Sequence, residues 1–127
     1  MKKIDIKEGK LTPKITYNPD ENILVISGSS LPENVHEFYK PILQWLEEYE
    51  ASAGNVTKPF KVSMKLAYYN SSSMKYIHEI FAGVARIHNK GVKTEIQWHY
   101  DKDDELLKEA GQDLSELIGL KFNYITP

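Results

Sequence analysis

The chain has 127 residues, 41% of them hydrophobic and 27% charged, with a formal net charge of -2 and no cysteine. That length suits one domain spanning residues 1–127, and the composition is that of a globular protein. The missing thiols exclude disulfide staples, thiolate metal sites and cysteine nucleophiles, and the interspersed charges offer no basic cluster to a nucleic acid.

No apolar run follows Met1-Lys2-Lys3, so neither a signal peptide nor membrane insertion is expected, and a cytoplasmic location follows. Thr12 to Tyr17 alternates as a short strand, ended by the turn formers Asn18 to Asn22. Ile23 to Ser27 reads as its antiparallel partner, with Gly28-Ser29-Ser30 as the stop. Leu31-Pro32-Glu33-Asn34 reads as a helix start, after which Phe38, Ile42, Trp45 and Tyr49 give one apolar face. Pro41 inside that pattern predicts a kink or a break, because it removes a backbone donor. Glu47, Glu48 and Glu50 read as a solvated face.

Phe60, Val62, Met64, Leu66 and Tyr68 alternate with polar or small residues, as a strand with one buried face does. Tyr69-Asn70-Ser71-Ser72-Ser73 ends it. Met74, Ile77, Ile80, Phe81, Val84 and Ile87 then run at helical spacing up to Asn89-Lys90-Gly91. Val92 to Tyr100 is a further strand, and the acids between Asp101 and Glu105 mark the entry of a helix from about Asp104 to Leu117, with Leu106, Leu107, Ala110, Leu114 and Leu117 as its inner stripe. Lys121 to Ile125 closes the chain as a strand. The order predicts an α/β sandwich with a mixed sheet and crossover helices.

Chemistry is sparse. His36, His78, His88 and His99 lack metal-ligand spacing, so no metal is expected. No nucleophile-elbow, Walker or dinucleotide motif occurs, so no catalytic residue and no cofactor is assigned. The serine-rich turn is the one feature with two readings. Its asparagine and serine oxygens can cap the following helix, and the open amides and helix dipole of the same turn also suit a phosphate.

Several blocks in order resemble the SiaC family: Thr12-Pro13, Ile26 to Ser30 with Pro32-Glu33-Asn34, Trp45 to Tyr49, Tyr69 to Ser73 with Lys75, and Trp98 to Asp101. The resemblance implies a fold like the anti-sigma-factor antagonists, the STAS-like class, and a regulatory role rather than an enzymatic one. It implies phosphorylation by a dedicated Ser/Thr protein kinase and removal of the phosphate by a PP2C-type phosphatase. It also implies that the unphosphorylated form binds and activates a diguanylate cyclase that promotes biofilm formation. The family's phosphoacceptor follows the asparagine and falls on Ser71, with Ser72 and Ser73 as alternatives, and serine stands where threonine is usual. Asn70 is expected to position the turn, and Tyr68, Tyr69, Pro32, Glu33 and Asn34 to line the partner surface. The competing reading is a constitutive protein-interaction domain in which Ser71 caps a helix.

Overall fold

The computed structural model describes residues 1–127. The elements run β1 (Ile4–Ile6), β2 (Lys14–Asn18), β3 (Ile23–Ser30), α1 (Val35–Ala51), a 3-10 turn (Ala53–Asn55), β4 (Phe60–Tyr69), α2 (Ser71–Asn89), β5 (Thr94–His99), α3 (Glu105–Ile118) and β6 (Phe122–Ile125). The strands form one sheet in chain order, antiparallel from β1 to β3 and parallel from β3 to β6. This is the mixed α/β fold with crossover helices that the order of elements predicts.

Each parallel step requires a crossover, and right-handed crossovers that advance in one direction lay their helices on one face of the sheet. α1 packs on α2 and α2 on α3, so the helices form a single layer. The register lines up Leu24, Val62, Ile96 and Phe122 across four strands, all buried beneath that layer. Lys61 and Glu95 sit side by side on the opposite face, and Lys65 is exposed there. A sheet covered on one face produces the period-two pattern of β4.

Twenty-six buried apolar residues make one cluster. Its aromatic ends differ. Tyr17, Trp45, Tyr49 and Phe60 pack under α1, while Phe81, Trp98 and Phe122 pack under α2 and α3. The first group closes on a buried asparagine. Asn22 adopts a left-handed backbone (φ 55°), which asparagine tolerates better than most residues. Its Oδ1 accepts from Tyr17 (2.6 Å) and Tyr49 (2.8 Å), and its Nδ2 donates to the carbonyls of Lys58 and Pro59 (both 3.1 Å). Burial, reinforced by neighbouring Tyr49, pushes the Tyr17 hydroxyl up to about 12.

Several sequence expectations need correction. Gly28-Ser29-Ser30 does not end the strand. β3 continues to Ser30 through a register shift between Gly28 and Ser29, and Gly28 takes φ 110°, which only glycine adopts freely. α1 runs unbroken through Pro41, which is exposed, as is Glu37 one turn earlier, so water can satisfy the released carbonyl. Its buried face is Tyr39, Ile42, Trp45, Leu46 and Tyr49, with Phe38 only partly covered. Leu106 and Leu117 do not belong to the inner stripe of α3, whose buried residues are Leu107, Gly111 and Leu114. Gly111 lies against the Trp98 indole, where a Cβ would come within 2.6 Å of Nε1. β1 is an additional edge strand.

Candidate functional site: the serine turn

Three helices start at the carboxyl edge of the parallel strands, and each is capped alike. Asn34, Asn70 and Asp104 accept from the backbone amides of Glu37, Ser73 and Leu107, at 3.2, 2.9 and 3.0 Å. Asn70 therefore caps α2, and Ser71 is the first residue of that helix. The Asn70 amide donates to the Ser30 carbonyl (3.1 Å), which fastens the turn to the end of β3.

The three consecutive hydroxyls have different environments. Ser73 is fully buried, and its Oγ donates to the Ser30 carbonyl (3.0 Å). Ser73 has one hydroxyl hydrogen, so in its 2.8 Å contact with Ser30 Oγ it must accept. Ser30 has then used its own hydrogen, so Tyr39 must be the donor in the 2.5 Å contact between Tyr39 and Ser30. A single directed chain runs Tyr39, Ser30 Oγ, Ser73 Oγ, Ser30 carbonyl, joining α1, β3 and α2. Ser72 is exposed, with its Oγ donating to Asn70 Oδ1 (3.0 Å). The Ser71 hydroxyl is exposed and takes part in none of these bonds. Ser71 and Ser72 are exposed residues in the first turn of a 19-residue helix, where backbone amides have no intrahelical partner and the helix dipole favours negative charge.

The other residues expected at the site divide into two groups. Tyr68 (55% exposed) and half-buried Tyr69 end β4 beside the turn. Burial, and secondarily the charge of Asp104, hold the Tyr69 hydroxyl above its ordinary range. Pro32 is buried, whereas Glu33 and Asn34 are exposed just after Ser30, at the start of α1. That start touches α2 through stacked Tyr39 and Tyr76 and through His36 Nδ1 to the Tyr76 hydroxyl (3.1 Å). The Pro32–Asn34 segment and the Tyr68–Ser71 segment thus flank the Ser30–Ser73 junction.

Sequence reasoning missed a groove of about 650 Å3 between α2 and α3, floored by the ends of β4 and β5. Tyr68, Tyr69, Met74, His78, Leu106, Glu109 and Asp113 are among the side chains that line it. Ser71 precedes Met74 and His78 by three and seven residues, so it extends the α2 wall of the groove by one turn. The sequence carried no separate signal for the groove, because Leu106, Leu107, Ala110, Leu114 and Leu117 fall on one stripe about 100° wide, which periodicity assigns as a whole to the core. Elsewhere, His99 Nε2 pairs with Ser63 Oγ (3.1 Å), and burial and nearby Lys65 lower its pKa. No set of three or more His, Asp or Glu side chains is arranged to hold a metal, and no helix is long and apolar enough to cross a membrane.

Residues 6–127 match the SiaC family of regulatory phosphoproteins. The chain belongs to the SiaC family. It is similar to an uncharacterized protein of Pseudomonas aeruginosa strain UCBPP-PA14, at 28% identity over 122 residues, 96% of this chain and 94% of the relative. The fold is similar to apo-SiaC of Pseudomonas aeruginosa, with a TM-score of 0.85 at 26% identity over 98% of both chains. It is similar also to SiaC as the activator in complex with the diguanylate cyclase SiaD, with a TM-score of 0.87 at 26% identity over 98% of this chain and 99% of the other.

Proposed function

We propose that this SiaC-family chain is a non-enzymatic cytoplasmic signalling protein whose partner binding is switched by reversible phosphorylation of Ser71. In this reading the unphosphorylated form binds and activates a diguanylate cyclase, a Ser/Thr protein kinase adds the phosphate and a PP2C-type phosphatase removes it. The observation that carries the reading is the division of labour in the turn. Ser73 is sealed in the interior and Ser72 is tied to the cap, which leaves Ser71 as the hydroxyl free for an incoming kinase. The regulatory-phosphoprotein family and the SiaD complex of the relative support the class of switch and of partner.

A phosphate adds about -1.5 to -2 of charge and three strong acceptors at this one spot. The open amides of the first helical turn accommodate it, so the fold tolerates the modification. The neighbouring surface does not accommodate it in a complex. Tyr68 and Met74, 55% and 42% exposed, make the adjoining face apolar, and a partner covering them would have to strip water from a dianion. Phosphorylation then ends binding through desolvation at the interface, without unfolding.

The test pairs Ser71→Ala and Ser71→Asp with the cyclase encoded in the same cells, together with site-localising mass spectrometry on the native protein. Ser71→Ala should bind and activate the cyclase as the unmodified chain does. Ser71→Asp should bind at least ~10-fold more weakly while its Tm stays within about 2 °C, since an acid in the first turn is neutral to favourable. Equal binding by both variants, with no phosphate at residue 71, would instead establish a constitutive interaction domain.

A further inference from the structure

The strand order leaves two free edges, β1 and β6. They are guarded differently. β1 has three residues with Asp5 at the centre and Lys2, Lys3 and Lys7 beside it, and the Trp45 indole N–H ties it to the helix layer by donating to the Lys2 carbonyl (2.8 Å). Short length and charge are the usual protection of an edge strand. β6 reads Phe122-Asn123-Tyr124-Ile125, and no charged side chain occurs from 122 to 127. The ladder fixes which of its backbone groups are free. The Tyr100 amide donates to the Ile125 carbonyl (3.0 Å), so Ile125 and, by the alternation of a parallel pair, Asn123 turn their backbone groups toward β5. The N–H and C=O groups of Phe122 and Tyr124 therefore point outward, and Thr126 follows in the same alternation.

We propose that β6 is a self-pairing edge, which joins two copies of this chain antiparallel about a twofold axis through Tyr124 into one continuous sheet. That register opposes Tyr124 to Tyr124 of the second copy and Phe122 to its Thr126, so outward groups meet outward groups and about six N–H···O bonds form. An axis through Asn123 or Ile125 would leave Thr126 or Phe122 unopposed. Pro127 falls on the alternation that faces away from the second copy, so its missing N–H costs the pairing nothing. The same residues serve both sides of the axis, which is why the occupant is a second copy. Tyr124 lies on the helix side of the sheet, half-buried and 6.3 Å from Phe122, whose ring packs with Phe81 and Trp98. Tyrosine rings paired across the axis continue that cluster into the second copy. No like charges oppose one another along this strand, whereas β1 paired with itself would crowd Asp5 against its own copy. β6 lies two strands from β4, so the pairing leaves the serine turn of each copy open. A contact of one short strand stands at the low end of interface sizes, so the dimer is weak, with a Kd on the order of 100 µM.

The test uses the full chain, whose lack of cysteine makes a single introduced thiol diagnostic. Opposed Cα atoms at position 124 lie about 5.5 Å apart in a hydrogen-bonded antiparallel pair, within the span of a disulfide. Asn123 and its copy stand diagonally, about 8 Å apart, beyond that span. Under mild oxidation at a concentration near the Kd, Tyr124→Cys should cross-link into a dimer at least ~10-fold faster than Asn123→Cys. Sedimentation velocity on the unsubstituted chain should show a concentration-dependent dimer, which Tyr124→Glu weakens at least ~10-fold by opposing two carboxylates. Circular dichroism spectra matching the unsubstituted chain would show the variants folded, and if Tyr124→Glu misfolds the two cysteine variants decide alone. A monomer at every concentration up to about 1 mM, equal cross-linking at 123 and 124, or a dimer that folded Tyr124→Glu leaves intact would each overturn the proposal. Ser71 takes no part in this experiment, so its failure leaves the phosphorylation reading standing, and failure of that reading leaves this result intact.

Discussion

Replacing Ser73 with alanine tests whether the directed hydroxyl chain, rather than helix propensity, holds the regulatory turn. The substitution removes a buried donor to the Ser30 carbonyl, which keeps a partner in the Asn70 amide. It also removes the acceptor of the Ser30 hydroxyl. Ser30 cannot turn its hydrogen toward Tyr39 without leaving the Tyr39 hydrogen unpaired, so one buried donor is orphaned whichever way the chain reorganises. The lost hydrogen bond is worth about 1 kcal/mol and the orphaned donor at least about 1 more, a total of about 2 kcal/mol. An unfolding entropy of about 2.1 cal/mol/K per residue converts that into a Tm fall of about 7 °C for a chain of this length. Ser71→Ala and Ser72→Ala, which leave the buried chain untouched, should fall within about 0.5 kcal/mol of wild type. Urea unfolding followed by circular dichroism separates the cases. If Ser73→Ala were as stable as Ser71→Ala, the hydrogen-bond chain would not be what fixes the turn.

Gly111→Ala should destabilise the fold by about 1–3 kcal/mol and perturb tryptophan emission, because its Cβ would come within 2.6 Å of Trp98 Nε1. Helix propensity alone predicts a gain of about 1 kcal/mol, so the sign of the measured change decides between them. Asn22→Ala takes the acceptor from two buried tyrosine hydroxyls and should cost about 3 kcal/mol or more in urea unfolding, whereas each tyrosine changed singly to phenylalanine should cost about 1. His99 is depressed by burial and Lys65, so as pH falls below about 6.5 the unfolded chain takes up a proton that the folded chain refuses. Its contribution to stability is complete above that pH and is lost as pH drops through the folded value. A Tm series from pH 7.5 to 5 should show this slope, reduced in His99→Gln.

The strands and helices were legible wherever one face alone meets the core. β4 shows this best, since Phe60, Val62, Met64 and Leu66 face the helices and Lys61 and Lys65 do not. Boundaries were read wrongly where a local rule met a tertiary exception. Gly28 has the look of a stop, yet it lets β3 bend and deliver Ser30 to Ser73. Pro41 has the look of a breaker, yet its turn of α1 faces water. The Ser71 turn could be found because a strand, an asparagine and a helix follow one another in sequence. The separate environments of the three serines could not be read, because Ser30 and Tyr39, which bury Ser73, lie 43 and 34 positions away. The groove escaped for a related reason. Leu106 sits on the same stripe as Leu107, and it is Trp98, seated on Gly111 and donating its indole N–H to the Leu107 carbonyl (3.0 Å), that shows which face of α3 turns inward.

Strand order in the sheet is the same as strand order in the chain. Each strand, as it emerges from the ribosome, has its partner already present, and no later segment has to pry apart a finished pair and insert between its members. The hairpin of β2 and β3 needs only a short loop to close, and each parallel strand then adds to the growing edge once its crossover helix is made. Assembly can therefore proceed in one direction at the pace of synthesis, and the serine turn, between β4 and α2, takes its shape while β5, α3 and β6 are still to come.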